Sequence, residues 1–260
     1  MRQHLTRLIR YRGLLWNLAL GDLKARHRQT TLGMLWALAQ PLSMLLVFAV
    51  VFSVFVKVPV GDIPYVLFAY TGLLSWLFFA NSLSAGLPSV VSNMNLVTKA
   101  SFPREVIPLS KLVTTGFDFL IGMAVLALLL IAYHRPATGA LVVVPGIVLV
   151  QVMFTTGMVL WSSALYVLKR DLGSILPLIL QVWMFLSPVV YPISLVPERY
   201  HTLYLLNPMA AIMEAYRSVL LFGTLPSFSG MAVAAAISVV VLWGGYAYFK
   251  ALEIRFADVM

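Results

Sequence analysis

The chain has 260 residues, of which 61% are hydrophobic and only 10% are charged. Soluble globular domains carry about 25% charged residues, so this composition excludes an ordinary soluble domain and indicates an integral membrane protein. The absence of cysteine excludes structural disulfides and thiolate metal sites. The net charge of +9 is compatible with nucleic-acid binding. In a membrane chain, however, it reflects basic residues that collect on the cytoplasmic side, and we expect no nucleic-acid partner.

The N-terminal region, residues 1–31, is basic and is predicted to lie in the cytoplasm. Within it, residues 14–29 predict an amphipathic helix, because Leu15, Ala19 and Leu23 recur at a spacing of four. Such a helix lies in the membrane interface, either as a simple anchor or as a surface for a partner. The charged start imitates a signal peptide, but the apolar run that follows continues to Val56, which favours an uncleaved first span.

Six apolar runs follow the basic region, and each is close to the 20 or so residues that cross a bilayer. The fifth run is the shortest, and its two prolines, Pro177 and Pro188, predict a bent helix that faces protein or a cavity. The sequence therefore predicts an all-α integral membrane protein, with a six-span transmembrane domain over residues 32–260. The predicted spans cover residues 32–56, 65–91, 112–133, 140–168, 172–190 and 230–249.

The distribution of Lys and Arg predicts the orientation of these spans. Fourteen of the 18 lie in the N-terminal region, the second and fourth connections and the C-terminus, and four lie in the remaining segments. Because basic residues mark the cytoplasmic side, both termini are predicted to be cytoplasmic.

Two connections are longer or more apolar than a simple turn. The cytoplasmic connection, about residues 92–111, carries apolar side chains between its charges, which favours either a docking surface or packing on the chain's own helix ends. The outer connection, about residues 191–229, is punctuated by prolines and predicts short helices that dip into, or lie on, the outer face. Within it, Glu214 and Arg217 are three residues apart and are expected to pair.

Motifs for catalysis are absent from the sequence. There is no P-loop, no H-E-x-x-H and no G-x-S-x-G, and the four histidines have no metal-ligand spacing, so we predict no catalytic residue and no metal site. Asp118 is the one acid deep in a predicted span. We interpret it as a hydrogen-bonded packing residue in preference to a transport residue, so proton-coupled transport is poorly supported.

Aromatic side chains in or beside the predicted spans offer a different chemistry. Ring faces stack on the apolar C–H surfaces of sugars and form a path without strong charges. Trp76, Trp183 and Tyr191 are candidates for such a glycan channel, and ordinary packing is the alternative for each ring.

Several blocks of the sequence resemble one family. "DLKARHRQTTLGMLWALAQPL" (Asp22–Leu42), "LVTKASFPREVIPLS" (Leu96–Ser110), "SPVVYPISLVPERY" (Ser187–Tyr200) and "LNPMAAIMEAYRSVL" (Leu206–Leu220) occur in the order found in permease subunits of bacterial ABC-type polysaccharide exporters. Together with "VLKRDLGSIL" and the terminal "EIRFADVM", these blocks extend the resemblance over nearly the whole chain.

The resemblance implies the channel-forming subunit of an ATP-driven exporter. Its cargo would be undecaprenyl-pyrophosphate-linked polysaccharide, O-antigen above all, which crosses the bacterial inner membrane outward. The implied partners are a second copy of the chain and two ATP-binding cassette subunits, which would hold ATP and Mg, with no cofactor in this chain. Capsule or teichoic acid is an alternative cargo. An ABC-type exporter of a small lipid or drug and an ATP-independent scaffold or channel are the rival functions.

The resemblance also implies roles for three groups of residues. The basic group at the interface helix would attract the lipid pyrophosphate, because guanidinium groups suit phosphate oxygens, or would serve only as an anchor and an ATPase contact. This group is Lys24, Arg26, His27 and Arg28. ATPase coupling would fall on Asp22, Lys99, Phe102, Arg104 and Glu105. An outer gate would involve Pro192, Pro197, Glu214 and Arg217.

Overall fold

All regular secondary structure is helical in the part of the chain that the computed structural model describes, namely residues 10–28, 36–99, 102–135, 138–253 and 256. No strand occurs in these ranges, which confirms the predicted all-α class. The α-helices are α1 (Arg12–Arg28), α2 (Trp36–Phe48), α3 (Tyr65–Gly86), α4 (Ser89–Ser92), α5 (Met94–Lys99), α6 (Val106–Ala132), α7 (Val144–Leu168), α8 (Leu172–Phe185), α9 (His201–Leu205), α10 (Pro208–Leu220) and α11 (Phe228–Glu253).

Among the described residues, four helical segments are long and apolar enough to cross a membrane. They are α3, α6, the continuous segment Gly139–Leu168 that contains α7, and α11. They correspond to the second, third, fourth and sixth predicted spans. The first and fifth predicted spans contain shorter apolar helices, Ala39–Ser53 and Leu172–Phe185. The membrane character of the chain is thus supported, and the full six-span arrangement stays a prediction.

The first and fifth predicted spans each have a local irregularity. Helix α2 contains Pro41 and runs directly into a π-helical turn, Ala49–Phe55. Helix α8 has 14 residues, or about 21 Å, and ends at Phe185 although the apolar run continues to Val190. Pro188 therefore lies in the loop after the helix and not inside it. A proline lacks a backbone donor and disfavours helical backbone in the residue before it, which accounts for the early end.

Helix α3 is the central element of the bundle. Within its most apolar window, 83% of the residues are buried by the chain itself, compared with 22–33% in the other three long segments. It contacts α2, α6, α7 and α10. The protein's own helices therefore surround α3, whereas the other long helices retain faces for lipid or for other chains.

Helices α7 and α11 approach each other closely because glycines meet at their crossing. A Cβ atom built on Gly157 would lie 2.5 Å from the carbonyl oxygen of Val241, and one on Gly245 would collide with the Gly157 carbonyl. Small residues allow such backbone contact between membrane helices, where dispersion and not the hydrophobic effect holds helices together.

The two ends of the bundle carry the connections predicted to be functional. At one end, here called the basal end, α1, α4 and α5 lie beside the start of α6 and the final turns of α11. At the other, the distal end, residues 186–227 pack with the first turns of α3 and with the Gly139–Val143 turn.

The glycine contact predicts the effect of adding one methyl group. Gly245→Ala is expected to cost about 1–3 kcal/mol through overpacking and to lower the melting temperature of the purified protein in detergent. Gly244→Ala is the matched control, because a Cβ there meets nothing within 4 Å. Equal melting temperatures for the two variants would show that the close crossing is not present.

Candidate coupling and gating sites

Four charged residues join the connection before α6 to the end of α11 at the basal end. Lys250 Nζ donates to Glu105 Oε2 at 2.5 Å and to Glu253 Oε2 at 2.8 Å. The backbone N–H of Arg104 donates to Glu253 Oε1 at 3.2 Å. The Arg104 guanidinium donates to the backbone carbonyl of Glu253. We call this cluster the basal latch (Arg104, Glu105, Lys250 and Glu253). Because α6 begins directly after Glu105, the latch fixes the start of α6 to the end of α11.

Apolar packing surrounds the basal latch. Val97 of α5 is buried in a cluster with Ile107, Leu160 and Phe249, and Phe102 packs against the same cluster. Of the two alternatives for the apolar side chains of this connection, packing on the chain's own helix ends therefore holds for Val97 and Phe102. The exposed side chains of α5 are polar, Asn95 and Thr98, and the side chain of Lys99 lies outside the described part.

Helix α1 is docked on α6 through the face that the sequence predicts. Leu15, Ala19 and Leu23 lie on its covered side, and the ring of Trp16 lies 5.6 Å from that of Phe117. The helix is therefore an attached part of the bundle and not a free arm.

Two hydrogen bonds add to this docking, and one of them engages Asp22, a residue predicted to take part in coupling. Lys111 Nζ donates to Asp22 Oδ2 at 2.6 Å, and the Thr114 hydroxyl donates to the Ala19 carbonyl at 3.4 Å. Asp22 is thus engaged within the chain.

The four basic residues proposed for the lipid pyrophosphate fall at the end of α1. Lys24 is exposed. The side chains of Arg26, His27 and Arg28 lie outside the described residues, so their assignment stays a prediction.

The aromatic candidates occupy two different environments. Trp76 is 3% exposed and packs against Phe79 and Trp183 inside the core. Trp183 is half-buried and borders a cavity of about 660 Å³ at the distal end, together with Tyr200 and Tyr204. Trp183 therefore reaches an open surface of the single chain, and the ring of Trp76 does not.

Tyr191 lies next to this distal cavity and helps to hold its wall. Its hydroxyl donates to the Phe185 carbonyl at 2.7 Å and lies 2.6 Å from the hydroxyl of Tyr204. The Trp183 indole donates to Asn207 Oδ1 at 3.3 Å, and the same oxygen accepts from the Met209 N–H at the start of α10. Asn207 thus caps α10 and connects it to the end of α8.

Arg217 connects α10, the loop after α8 and α3. It is fully buried, and its guanidinium donates to Glu214 Oε1 at 2.8 Å, which confirms the predicted pair, and to the Val189 carbonyl at 2.7 Å. The guanidinium carbon lies 3.7 Å from the centre of the Phe68 ring. Burial lowers the pKa of Arg217, and the neighbouring Glu214 carboxylate opposes this shift. We call these contacts the distal staple (Phe68, Val189, Glu214 and Arg217).

The two prolines assigned to the outer gate shape the loop beyond the distal staple. Pro192 and Pro197 each precede a short 3₁₀ turn, Ile193–Leu195 and Glu198–Tyr200. Their fixed backbone angles start these turns and keep the segment out of a continuous helix.

Sequence reasoning missed several members of these sites. Lys250 and Glu253 show only an i,i+3 spacing, and nothing local indicates that Glu105, 145 residues before Lys250, is their partner. The backbone carbonyl of Val189 leaves no sequence signal. No three His, Cys, Asp or Glu side chains in the described ranges lie close enough to hold a metal ion.

These features define a class of protein: a helical membrane subunit with a docked basic helix and a short loop helix at one end. Comparison with known families gives the more specific assignment. Residues 14–221 match the ABC-2 type transporter family, and the chain belongs to that family.

Individual relatives extend the similarity beyond the family domain. The chain is 34% identical to an O-antigen export system permease protein RfbA of Myxococcus xanthus over 253 residues, which cover 96% of each chain. It is 30% identical to a protein of the same name from Klebsiella pneumoniae, over 92% of each chain. The polysialic acid transport protein KpsM of Escherichia coli is 23% identical over 91% of this chain and 92% of its own.

The basal latch predicts a strong effect of removing one cation. Lys250→Met leaves the Glu105 carboxylate, which is 1% exposed, without its ion pair, and we expect a loss of about 3–5 kcal/mol in stability. Lys111→Met is the matched control. Its partner Asp22 is 33% exposed, so the loss there should be about 1 kcal/mol or less. Thermal unfolding in detergent measures both, and equal losses would contradict a buried latch.

The distal staple predicts a local loosening. Arg217→Lys keeps the positive charge, but a single ammonium cannot reproduce the forked bonds to Glu214 and Val189. Backbone amides of the 187–191 loop should then exchange with deuterium at least about fivefold faster, as expected for the loss of one hydrogen bond. Amides in the middle of α7 provide the internal control. Unchanged exchange in the loop would show that the staple does not hold it.

Proposed function

We propose that the chain is the channel-forming subunit of an ATP-driven exporter that moves lipid-linked polysaccharide outward across the bacterial inner membrane, with O-antigen as the cargo. The similarity to O-antigen export permeases at 34% identity over 96% of both chains carries this proposal. The relatives named for polysialic acid are less similar, at 22–23% identity, which favours O-antigen over a capsular glycan. The Lys and Arg distribution supports a cytoplasmic basal end.

The proposal includes partners that this chain needs. ATP would be hydrolysed on two separate ATP-binding cassette subunits, because the sequence contains no P-loop. A second copy of the chain would complete the channel. The exposed apolar faces of α2 and α8 support this pairing. Both helices are short, and both carry large apolar side chains that the chain itself leaves uncovered. These side chains are Leu42, Leu46, Val47, Ile175, Leu178, Ile179 and Val182.

Coupling between the ATPase and the channel would begin at the basal end. The exposed polar side of α5 is the surface that faces a cytoplasmic partner. A displacement of α5 would be transmitted to α6 and α11 together, through the apolar cluster around Val97 and through the basal latch. Lys99, whose side chain is not described, would contact the ATPase directly. Arg104 and Glu105 would transmit the movement.

The substrate would meet two further regions. The lipid pyrophosphate would be attracted to the basic end of α1, where Lys24 is exposed beside Arg26, His27 and Arg28. The sugars would pass the aromatic side chains of the distal cavity, Trp183 and Tyr191, before they leave. The distal staple would hold the outer gate closed until α10 and the loop after α8 separate.

Deleting the gene tests this function directly. Cells without the subunit should retain lipid-linked glycan on the cytoplasmic side and lose the surface polysaccharide, and a plasmid copy should restore both. Co-purification of the ATPase subunits with the tagged chain provides a second readout. A normal amount of surface glycan in the deletion strain, with a small lipid or drug retained instead, would favour the rival class of small-molecule exporter.

A further inference from the structure

One block of the family resemblance, "EIRFADVM" (Glu253–Met260), has no part in the proposed function apart from Glu253 of the basal latch. The structure describes two of its residues, Glu253 and Phe256. Phe256 is fully buried although it lies beyond the end of α11. A large apolar side chain that the fold covers completely at this point indicates that the block packs against the basal end of the bundle.

Phe256 belongs to the apolar cluster that packs against the connection before α6. Its ring lies 5.3 Å from the ring of Phe249, in a T-shaped contact. The same cluster contains Val97 of α5, and Phe102 packs against it. Among the described residues, three of the nine buried members of this cluster come from the segment 249–256, namely Phe249, Leu252 and Phe256. This segment is therefore a main part of the surface on which α5 rests.

Three residues at a spacing of three meet successive parts of that connection. Lys250 Nζ donates to Glu105 Oε2 at 2.5 Å, directly before α6 begins. Glu253 Oε1 accepts from the backbone N–H of Arg104 at 3.2 Å. Phe256 lies in the cluster that covers the buried side of α5. We call Lys250, Glu253 and Phe256 the terminal stripe. It contacts the start of α6 and the loop before it, and it shares an apolar cluster with α5.

Helix α5 depends on external support because it is too short to be stable by itself. It has six residues, whereas isolated helices shorter than about 12–15 residues are marginal in water. Of its described side chains only Val97 is buried, at 2% exposure. The position of α5 is therefore set by the cluster around Val97, to which the terminal stripe contributes.

The helix that carries the terminal stripe is itself closely packed. Helix α11 crosses α7 at Gly157 and Gly245, where a Cβ atom on either glycine would collide with the backbone of the other helix. Helix α7 also adds Leu160 and Ala164 to the cluster around Val97. The terminal stripe therefore fixes α5 to the α7–α11 pair as well as to the start of α6.

We infer that the terminal stripe positions α5 for coupling: it holds α5 against the α7–α11 pair, in the place where α5 receives the movement of the ATPase. This inference rests on the proposed function. It makes Lys250, Glu253 and Phe256 positioning residues, which act through α5 and not through contact with the ATPase. Loss of the stripe should leave ATP hydrolysis in place while less glycan is exported for each ATP.

Thiol labelling of the purified chain in detergent tests the positioning of α5, because the chain contains no cysteine. Val97→Cys places a thiol on the buried side of α5, and Thr98→Cys places one on its exposed side. Adding Phe256→Ala should let a water-soluble maleimide label Val97→Cys at least about fivefold faster, because the loss of buried contacts favours local opening. Adding Phe256→Leu, which keeps most of the apolar volume, should preserve most of the protection.

The exposed thiol is the control in this experiment. Thr98→Cys should be labelled at the same rate in all three backgrounds. Equal labelling of Val97→Cys with and without Phe256→Ala would overturn the inference, because α5 would then keep its position without the stripe.

The effect on coupling is measured in proteoliposomes that contain the assembled exporter and lipid-linked glycan, as glycan transferred per ATP hydrolysed. Phe256→Ala should lower this ratio at least about threefold at an equal amount of assembled exporter, as expected when one part of a coupling network is removed. Phe256→Leu should retain most of the ratio. Trp243→Ala is the matched control, because it removes a ring from the same helix that is 64% exposed, and it should keep the wild-type ratio.

The outcomes separate a failure of this inference from a failure of the proposed function. If the wild-type exporter transfers glycan and Phe256→Ala lowers only the amount of assembled exporter, with an unchanged ratio, the stripe stabilises the fold and does not position α5 for coupling. If the wild-type exporter hydrolyses ATP but transfers no glycan, the proposed function itself fails. The labelling of Val97→Cys then still decides whether Phe256 holds α5 in place.

Discussion

The amide of Gln151, buried in the middle of α7, holds three elements of the bundle in place. Its nitrogen donates to the carbonyl of Ser75 at 2.9 Å and to the Ser75 hydroxyl at 3.1 Å. Its oxygen accepts from the Tyr216 hydroxyl at 2.8 Å. Water cannot replace these bonds in an apolar interior, so any displacement of α3, α7 or α10 leaves a polar group unpaired. The position of Tyr216 also fixes its neighbour Arg217, and with it the distal staple.

The two ends of the bundle are attached to this core in different ways. At the basal end, ion pairs and an apolar cluster join α5, α6 and α11, so a movement there carries several helices together. At the distal end, the loop after α8 is held by hydrogen bonds from Arg217 and Tyr65 to its backbone carbonyls and by the burial of Val189 and Val190 in the core. In the proposed function, coupling belongs to the first of these ends and gating to the second.

Much of the fold follows from local sequence features. The apolar runs predict the long helices, and the spacing of Glu214 and Arg217 predicts their pair, because both depend on residues near in sequence. Other features depend on distant contacts and leave no local signal. The burial of Trp76 follows from the helices packed around α3. The orientation of Val97 and Phe102 toward the chain's own core follows from α7 and α11.

The length of α8 shows a further limit of the sequence. The apolar run of the fifth predicted span continues past Phe185, but the loop that contains Pro188 turns back to meet Arg217, which lies about thirty residues later in the chain. The sequence favours Asp118 as a hydrogen-bonded packing residue, and its side chain is half-buried in the structure. The structure places it on the wall of an open cleft with Asn81 and Gln40, which belong to different helices.

In the proposed function, this chain provides the path of a polysaccharide whose movement is driven by ATP hydrolysis on a partner. Reconstitution into proteoliposomes tests it most directly. The chain and its ATPase are inserted with lipid-linked glycan, and a glycan-specific lectin reports which side of the membrane the glycan faces. We expect transfer only when both subunits, Mg and ATP are present. Transfer without the ATPase, or ATP hydrolysis that leaves the glycan on its original side, would contradict it.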